Sequence, residues 1–298
     1  MEITLTLCYN IWDLLERGVR MNHNLLLYIL YGLVSGFSEF TPLSQSAHQA
    51  LFAMVFNFES TWPLLRFFVH IGALGGLVFL YWQKLNHFYQ EIKIVSLAPR
   101  LRKRPSDVEA VLDVRLIVMA FVPMMIGAII SAFTANMPVN LFLLALMLVL
   151  GAAFIYIPDY VPGGNRKTLE MSPLDGLLLG ICAACSVIPG VSAVGLMLFV
   201  SLLRKCDRSY ILDLVLIACG VMLLGVIFVD AIAAVFSGMA GFSLLRLLGC
   251  LLACGTAFGG SVGGILMMRF LAVKTGFSGF AFYGWGLGLF SFILYLMV

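Results

Sequence analysis

Two titratable side chains flank a proline in residues 36–48 (GFSEFTPLSQSAH), at the centre of the mainly apolar stretch 25–58. Glu39 precedes Pro42 and His48 follows it, so both side chains can face one cavity and support metal binding or acid–base chemistry. A structural alternative is that Glu39 caps the helix after the break and that His48 satisfies a buried carbonyl group. Because two titratable groups flank one turn, we favour the functional interpretation.

Serine and glycine residues near two such breaks offer anion-binding groups. Ser44 and Ser46 either cap the helix that follows the first break or bind an anion there. The second break, SVIPGVS, has Pro189 and Gly190 at its turn and Ser192 just after it. A turn of this kind leaves backbone N–H groups free at the start of the next helix, a geometry suited to phosphate.

Four further ionisable residues lie in or near apolar segments. For His70, a structural role and a functional role are equally consistent with the sequence. Arg66 is expected to extend from a membrane edge toward water. Asp213 and Asp230 flank one apolar run, and the sequence assigns them no role. A run of glycines predicts a face for close helix packing: Gly255, Gly259, Gly260, Gly263 and Gly264.

The amino-acid composition indicates that these residues lie in a membrane environment. Of 298 residues, 62% are hydrophobic and 11% are charged, and the mean hydropathy is +1.04. Soluble domains carry about 25% charged residues. The chain is therefore an integral membrane protein in contact with membrane lipid, which excludes a secreted disulfide scaffold, a nucleic-acid binder and a cytosolic enzyme. We expect a polar segment at 1–24, with Met21 as a possible natural start, and one membrane domain at 25–298.

Apolar runs of about 20 residues predict membrane-spanning helices. Six such spans are expected, near 64–83, 116–135, 138–158, 210–236, 243–268 and 277–298. Two other stretches, 25–58 and 174–203, are interrupted at their centres by Pro, Gly and Ser. Broken backbone at membrane depth must be satisfied by protein or by a water-filled cavity. We predict an all-α polytopic protein with two re-entrant helical hairpins.

Lys and Arg residues predict the orientation. Most of them lie in four polar segments: 84–115, 166–167, 204–208 and 269–274. All four face the cytoplasm only if 174–203 returns to the side it left. The repeat 25–158 and the inverted repeat 174–298 then form a 3+3 inverted-topology repeat, with 84–115 cytoplasmic. An offset of 148 residues aligns Ser44 with Ser192, and paired broken helices predict one binding site near the midplane.

Several segments resemble the undecaprenyl-diphosphate phosphatase (bacitracin-resistance) family from position 25 onward. GLVSGFSEFTPLSQSAHQ is similar to its first signature, G-x-x-E-G-x-x-E-F-L-P-[IV]-S-S-[ST]-G-H, and SVIPGVSAVG to its second, P-G-x-S-R-S-G. FVHIGALGGLVFLYWQKL and FSGFAFYGWGLG fit other family segments. The resemblance implies a bacterial plasma-membrane enzyme that removes the terminal phosphate of a C55 lipid diphosphate at the outer face.

The resemblance also implies roles for individual residues. Glu39, His48 and Ser44 are expected to be catalytic, with Glu39 also holding Mg²⁺ or Ca²⁺. Phosphate binding is expected from Ser46, Pro189, Gly190, Ser192 and Gly195.

The sequence departs from the family pattern at several positions. Ser35 replaces an acidic residue and Ala193 an arginine; the others are Gln45, Ala47, Val194 and Gly284. Two hypotheses follow: a polyprenyl-diphosphate phosphatase with Glu39 as metal ligand or base, or an impaired paralogue that binds or translocates polyprenyl phosphates. A homodimer is a further expectation.

Overall fold

The computed structural model describes residues 25–60, 62–97, 105–134, 138–237 and 243–297. The polar segment predicted at 1–24, with Met21, lies outside them. These residues form helices and connecting turns, and contain no β-strand apart from a single bridge between Arg166 and Cys206. The helices are α1 (Leu25–Glu39), α2 (Gln45–Phe56), α3 (Pro63–Ser96), α4 (Val108–Thr134), α5 (Leu141–Tyr156), α6 (Pro173–Ala184), α7 (Ala193–Leu203), α8 (Arg208–Phe236), α9 (Leu244–Lys274) and α10 (Ser278–Met297).

Six of these helices are long and apolar enough to cross a membrane: α3, α4, α5, α8, α9 and α10. This confirms the predicted all-α fold with six spans. The largest difference is at α3, which continues to Ser96 rather than ending near 83. Hydropathy marks where an apolar run ends, whereas this helix continues as a polar one. Its Glu91 side chain accepts a hydrogen bond from the Ser106 N–H at 2.9 Å, just before α4 begins.

The two predicted breaks each separate a pair of short helices. The α1–α2 pair is interrupted over residues 40–44, and the α6–α7 pair over 185–192, which includes a 3-10 turn at Cys185–Val187. Ser44 caps α2 and Ser192 caps α7, each through its side-chain oxygen. Gly190 has φ +98°, a conformation that side chains with a Cβ rarely adopt. Pro and Gly thus stop one helix, and a serine begins the next.

Small residues let the short helices approach long ones. α1 packs against α9, where a Cβ on Gly36 would overlap the carbonyl oxygen of Ala257. α6 packs against α4 in the same way, through Gly180 and Ala120. Similarly, α3 packs against α9 and α8 packs against α4. Two contacts of the first half of the chain, α1 with α9 and α3 with α9, thus correspond to α6 with α4 and α8 with α4.

The predicted glycine face of α9 is only partly correct. A Cβ on Gly260 would overlap the carbonyl oxygen of Leu33 in α1, and one on Gly264 would lie 2.8 Å from the carbonyl oxygen of Phe37. Gly255, Gly259 and Gly263 have no such neighbour among the described residues. Gly260 and Gly264 are four residues apart and share a face, whereas the other three point elsewhere on the helix.

Candidate functional site

The two breaks meet through reciprocal hydrogen bonds. Ser44 Oγ accepts one bond from the Ala47 N–H at 3.3 Å and another from the Gly190 N–H at 3.1 Å. In the other direction, Ser192 Oγ donates to the Thr41 carbonyl oxygen at 3.3 Å. The prediction that the two turns come together is therefore confirmed. Two serines that cap helices also join the two halves of the chain.

A polar cavity of about 410 Å³ lies on one side of the joined turns. Its walls come from both halves of the chain. They include Glu39, Ser46, Arg66, His70, Pro189 and Asp230. Ala193, which stands where the resemblance expects an arginine, also lines this cavity. Of the predicted phosphate-binding residues, Ser46 and Pro189 thus share a cavity with the predicted metal ligand, Glu39.

Glu39 brings an unpaired carboxylate oxygen to this cavity. Among the described residues, its Oε2 atom is buried without a hydrogen-bond partner, and so is Nε2 of Gln45. Buried polar atoms are normally hydrogen-bonded, so such groups are uncommon in a folded protein. In a cavity with polar walls, a carboxylate oxygen of this kind is available to water, a cation or a ligand.

Arg66, His70 and Asp230 form an ion cluster in the same cavity. The Asp230 side chain has no exposed surface; its Oδ1 accepts a hydrogen bond from Arg66 Nε at 2.9 Å and also contacts Nη2. Its Oδ2 lies 2.7 Å from His70 Nδ1, which donates to the carboxylate. A fully buried carboxylate requires such partners. The sequence left Asp230 without a role and placed Arg66 at the membrane edge, whereas the structure brings them together.

One signal of this cluster was present in the sequence. Arg66 and His70 are four residues apart, which places them on one face of α3. Asp230 is an acidic residue within an apolar helix, and such residues usually face the protein interior and have a partner. The identity of that partner depended on how α3 packs against α8, which residue spacing does not give.

His48 lies on the other side of the joined turns. It lines an open, largely apolar cavity of about 740 Å³ with residues of α1, α9 and α10. Its Nδ1 donates to the Ser44 carbonyl oxygen at 2.7 Å, so Nε2 accepts from the Tyr283 hydroxyl at 2.8 Å. The expectation that Glu39 and His48 face one cavity is therefore wrong, because the first turn of α2 directs His48 away from Glu39.

The remaining predicted phosphate-binding groups belong to the junction itself. Ser44, Gly190 and Ser192 line a narrow gap between the turns, together with His48. The N–H groups of Gly190 and Gly195 donate to the hydroxyl oxygens of Ser44 and Ser192. Those two N–H groups are therefore already paired. The phosphate-binding and catalytic roles of these residues stay predictions.

The predicted divalent cation would find one unpaired carboxylate here. The described residues contain no group of three or more His, Cys, Asp or Glu side chains placed to hold a metal ion. Ser35, which stands where the resemblance expects the first acidic residue, is buried, and its hydroxyl accepts a hydrogen bond from Gln49 at 3.3 Å. This arrangement fits the way in which Mg²⁺ is often held, by one or two carboxylates with substrate phosphate oxygens and water.

Comparison with known proteins points to one family. The sequence model described as "Bacitracin resistance protein BacA" matches residues 28–290. An undecaprenyl-diphosphatase of Halothermothrix orenii is 23% identical over 272 residues, 89% of this chain and 96% of that protein. The undecaprenyl-diphosphatase of Desulforapulum autotrophicum is 27% identical, with 89% of this chain and 96% of that protein covered. Undecaprenyl-diphosphatase 3 of Bacillus cereus is 26% identical, with 91% of this chain and 97% of that protein covered.

Proposed function

The chain belongs to the bacitracin resistance protein BacA family, and from that premise we propose that it hydrolyses undecaprenyl diphosphate to undecaprenyl phosphate and inorganic phosphate. This reaction would recycle a lipid carrier of cell-wall synthesis. The observation that carries the proposal is the polar cavity beside the joined turns, which combines an unpaired carboxylate with a cationic side chain. Phosphoryl transfer requires chiefly positioning and charge stabilisation, and such a cavity can supply both.

In the proposed reaction, water attacks the terminal phosphorus and the bond to the bridging oxygen breaks. Glu39 acts as the base that removes a proton from this water, or it holds a divalent cation. A bound Mg²⁺ or Ca²⁺ would neutralise charge on the phosphate oxygens. Ser46 and Pro189 line the same cavity and limit the space in which the phosphates lie. Ser44 and Ser192 hold the two turns that form its floor.

We also propose that the six spans and two re-entrant hairpins form a 3+3 inverted repeat, with repeats 25–158 and 174–298. The reciprocal hydrogen bonds of Ser44 and Ser192, which lie 148 residues apart, support this arrangement. So do the matched contacts of α1 with α9 and of α6 with α4. Inverted repeats commonly place a site between two broken helices near the membrane midplane.

The proposed site faces the outside of the bacterial plasma membrane. Its cavity is lined by the last turn of α4, the first residues of α5 and the second half of α8. The basic segments at 84–115 and 204–208 lie at the opposite ends of α4 and α8. Because positive loops remain in the cytoplasm, the cavity opens on the outer side and 84–115 is cytoplasmic.

A non-catalytic binder or translocase of polyprenyl phosphates is the second candidate function. The observation that favours it is the presence of two cavities on opposite sides of the joined turns, one polar and one apolar. Movement of fluorescent polyprenyl phosphate across vesicles containing the purified protein, with no phosphate released from the diphosphate, would support this function over hydrolysis.

Phosphate release from undecaprenyl diphosphate by the purified protein tests the proposed function. We expect release that falls when divalent cations are chelated and is restored when Mg²⁺ or Ca²⁺ is added. Glu39→Gln should lower the rate of release by about 10²–10⁴-fold, whereas Glu59→Gln, a change at an exposed residue paired with Arg246, should leave it unchanged. A folded wild-type protein that binds the lipid but releases no phosphate would refute the proposal.

A further inference from the structure

The polar cavity contains a single strong cation among the described residues that line it. A diphosphate carries several negative charges, and Glu39 alone would repel them. Arg66 is the one Lys or Arg side chain in this described lining, and Ala193 lies in the same wall without a charge. We infer that Arg66 binds the terminal phosphate of the substrate and that Asp230 positions it for this. The inference rests on the proposed function and extends it to a specific phosphate-binding residue.

The guanidinium of Arg66 is oriented on one side and available on the other. Nε and Nη2 contact Oδ1 of Asp230, whereas Nη1 donates no hydrogen bond to any described residue. The side chain keeps 13% of its surface exposed, while that of Asp230 keeps none. A planar guanidinium offers five N–H donors and matches phosphate oxygens two at a time. Arg66 therefore retains donors for a phosphate after pairing with Asp230.

Asp230 is itself held by a second partner. His70 donates from Nδ1 to Oδ2 at 2.7 Å, so both carboxylate oxygens are in use and the carboxylate cannot readily rotate away from Arg66. His70 comes from the same helix as Arg66, one turn further along α3, and Asp230 comes from α8. Asp230 is thus a positioning residue: it reaches the phosphate only through the orientation that it gives to Arg66.

This role differs from that of an ion pair that only joins α3 to α8. A structural pair gains most when both partners are enclosed and all their donors are satisfied. Here Arg66 keeps unpaired donors, and it lines the same cavity as the unpaired Glu39 oxygen. A guanidinium does not serve as an acid or a base, so Arg66 exchanges no proton with the substrate. Its contribution is charge stabilisation at the phosphate oxygens.

The test compares binding and hydrolysis of undecaprenyl diphosphate in purified variants. Arg66→Gln should weaken equilibrium binding by about tenfold or more and lower kcat/KM by about 10²–10³-fold. The matched control, Arg246→Gln, removes an arginine that pairs with exposed Glu59, and should stay within about twofold of wild type. Guanidinium ions added to Arg66→Ala should restore part of the lost rate, an effect that a structural role would not produce.

Two further variants keep the test decisive. The double variant Arg66→Gln with Asp230→Asn removes both charges of the ion pair, so it leaves no unpaired buried charge that could prevent folding. It should bind undecaprenyl diphosphate as poorly as Arg66→Gln alone. Ala193→Arg added to Arg66→Gln should recover about tenfold of the lost binding, because it returns a guanidinium to the same cavity. Folded Arg66→Gln with wild-type binding and kcat/KM would overturn the inference while leaving hydrolysis intact. A wild-type protein that binds through Arg66 and releases no phosphate would instead refute only the proposed function.

Discussion

The imidazole of His48 has both ring nitrogens engaged at the junction of the two turns. Nδ1 donates to the Ser44 carbonyl oxygen, and Nε2 accepts from the hydroxyl of Tyr283. The ring also stacks on Tyr283, with ring planes 5° apart. Through these contacts the ring joins the first turn of α2 to α10. These contacts indicate that His48 stabilises the start of α2 against α10.

His48→Gln separates this structural role from the catalytic role that the resemblance implies. We expect kcat/KM to stay within about tenfold of wild type, since loss of an acid–base catalyst typically costs about 10²–10⁴-fold. The free energy of unfolding should fall by about 1 kcal/mol for each hydrogen bond lost. Tyr283→Phe, which removes only the bond to Nε2, serves as the control and should lose about half as much stability. A fall of more than about 100-fold in folded His48→Gln would support the catalytic role.

Single residues were predictable from the sequence where their chemistry conflicts with their surroundings. Glu39 is conspicuous because an ionisable group in an apolar membrane segment usually serves a function. The pairing of Arg66 with Asp230 was not predictable, since the two are 164 residues apart. Their contact depends on how α3 and α8 pack, and residue types alone do not specify that packing.

At the scale of helices, single glycines determine which elements can touch. The α1–α9 contact is close because Gly260 has no side chain where the Leu33 carbonyl group passes. Its neighbour Gly259 points into open space among the described residues. Since α1 carries Glu39 at its end, the closeness of this contact helps to set the position of the carboxylate.

The pair Gly260→Ala and Gly259→Ala tests this packing with one methyl group each. Gly260→Ala should lower the free energy of unfolding by about 1–3 kcal/mol, because the added carbon overlaps a backbone oxygen. Gly259→Ala should be neutral or stabilising by up to about 1 kcal/mol, since alanine favours helix more than glycine does. Thermal unfolding in detergent measures both. Equal effects of the two changes would show that α1 does not pack as described.

The helix breaks were predictable, whereas helix faces and ends were less so. Pro42, Gly190 and the two capping serines belong to the residue types that stop and start helices, so both interruptions lie where the sequence places them. The direction in which a side chain points after such a break depends on its position within the first turn of the next helix. His48 shows this, because it lies within the first turn of α2 and faces away from Glu39.

At the scale of the whole molecule, the two halves of the chain meet at their broken helices. The junction separates a polar cavity, toward the proposed outer side, from an apolar one. The six spans and the basic loops were predictable because lipid demands long apolar helices and positive charge marks the cytoplasmic side. That each cavity draws on both halves is consistent with the proposed inverted repeat.

The proposed orientation predicts which ends of the molecule are accessible from outside. In a cysteine-free background, Glu59→Cys should react with a membrane-impermeant maleimide in intact cells, because Glu59 adjoins Ser60 in the wall of the polar cavity. Glu109→Cys, at the start of α4, should react only after the membrane is opened. The reverse pattern of labelling would show that the polar cavity faces the cytoplasm.

The central claim is that Glu39 and Arg66, from α1 and α3, act on the same phosphate group in one cavity. A double-mutant cycle of phosphate release tests it, with wild type, Glu39→Gln, Arg66→Gln and the combined variant. Residues that act as a unit show non-additive losses, so the combined variant should lose about as much kcat/KM as the worse single variant. Losses that multiply, with all four proteins folded, would mean that the two residues act independently, and would contradict the claim.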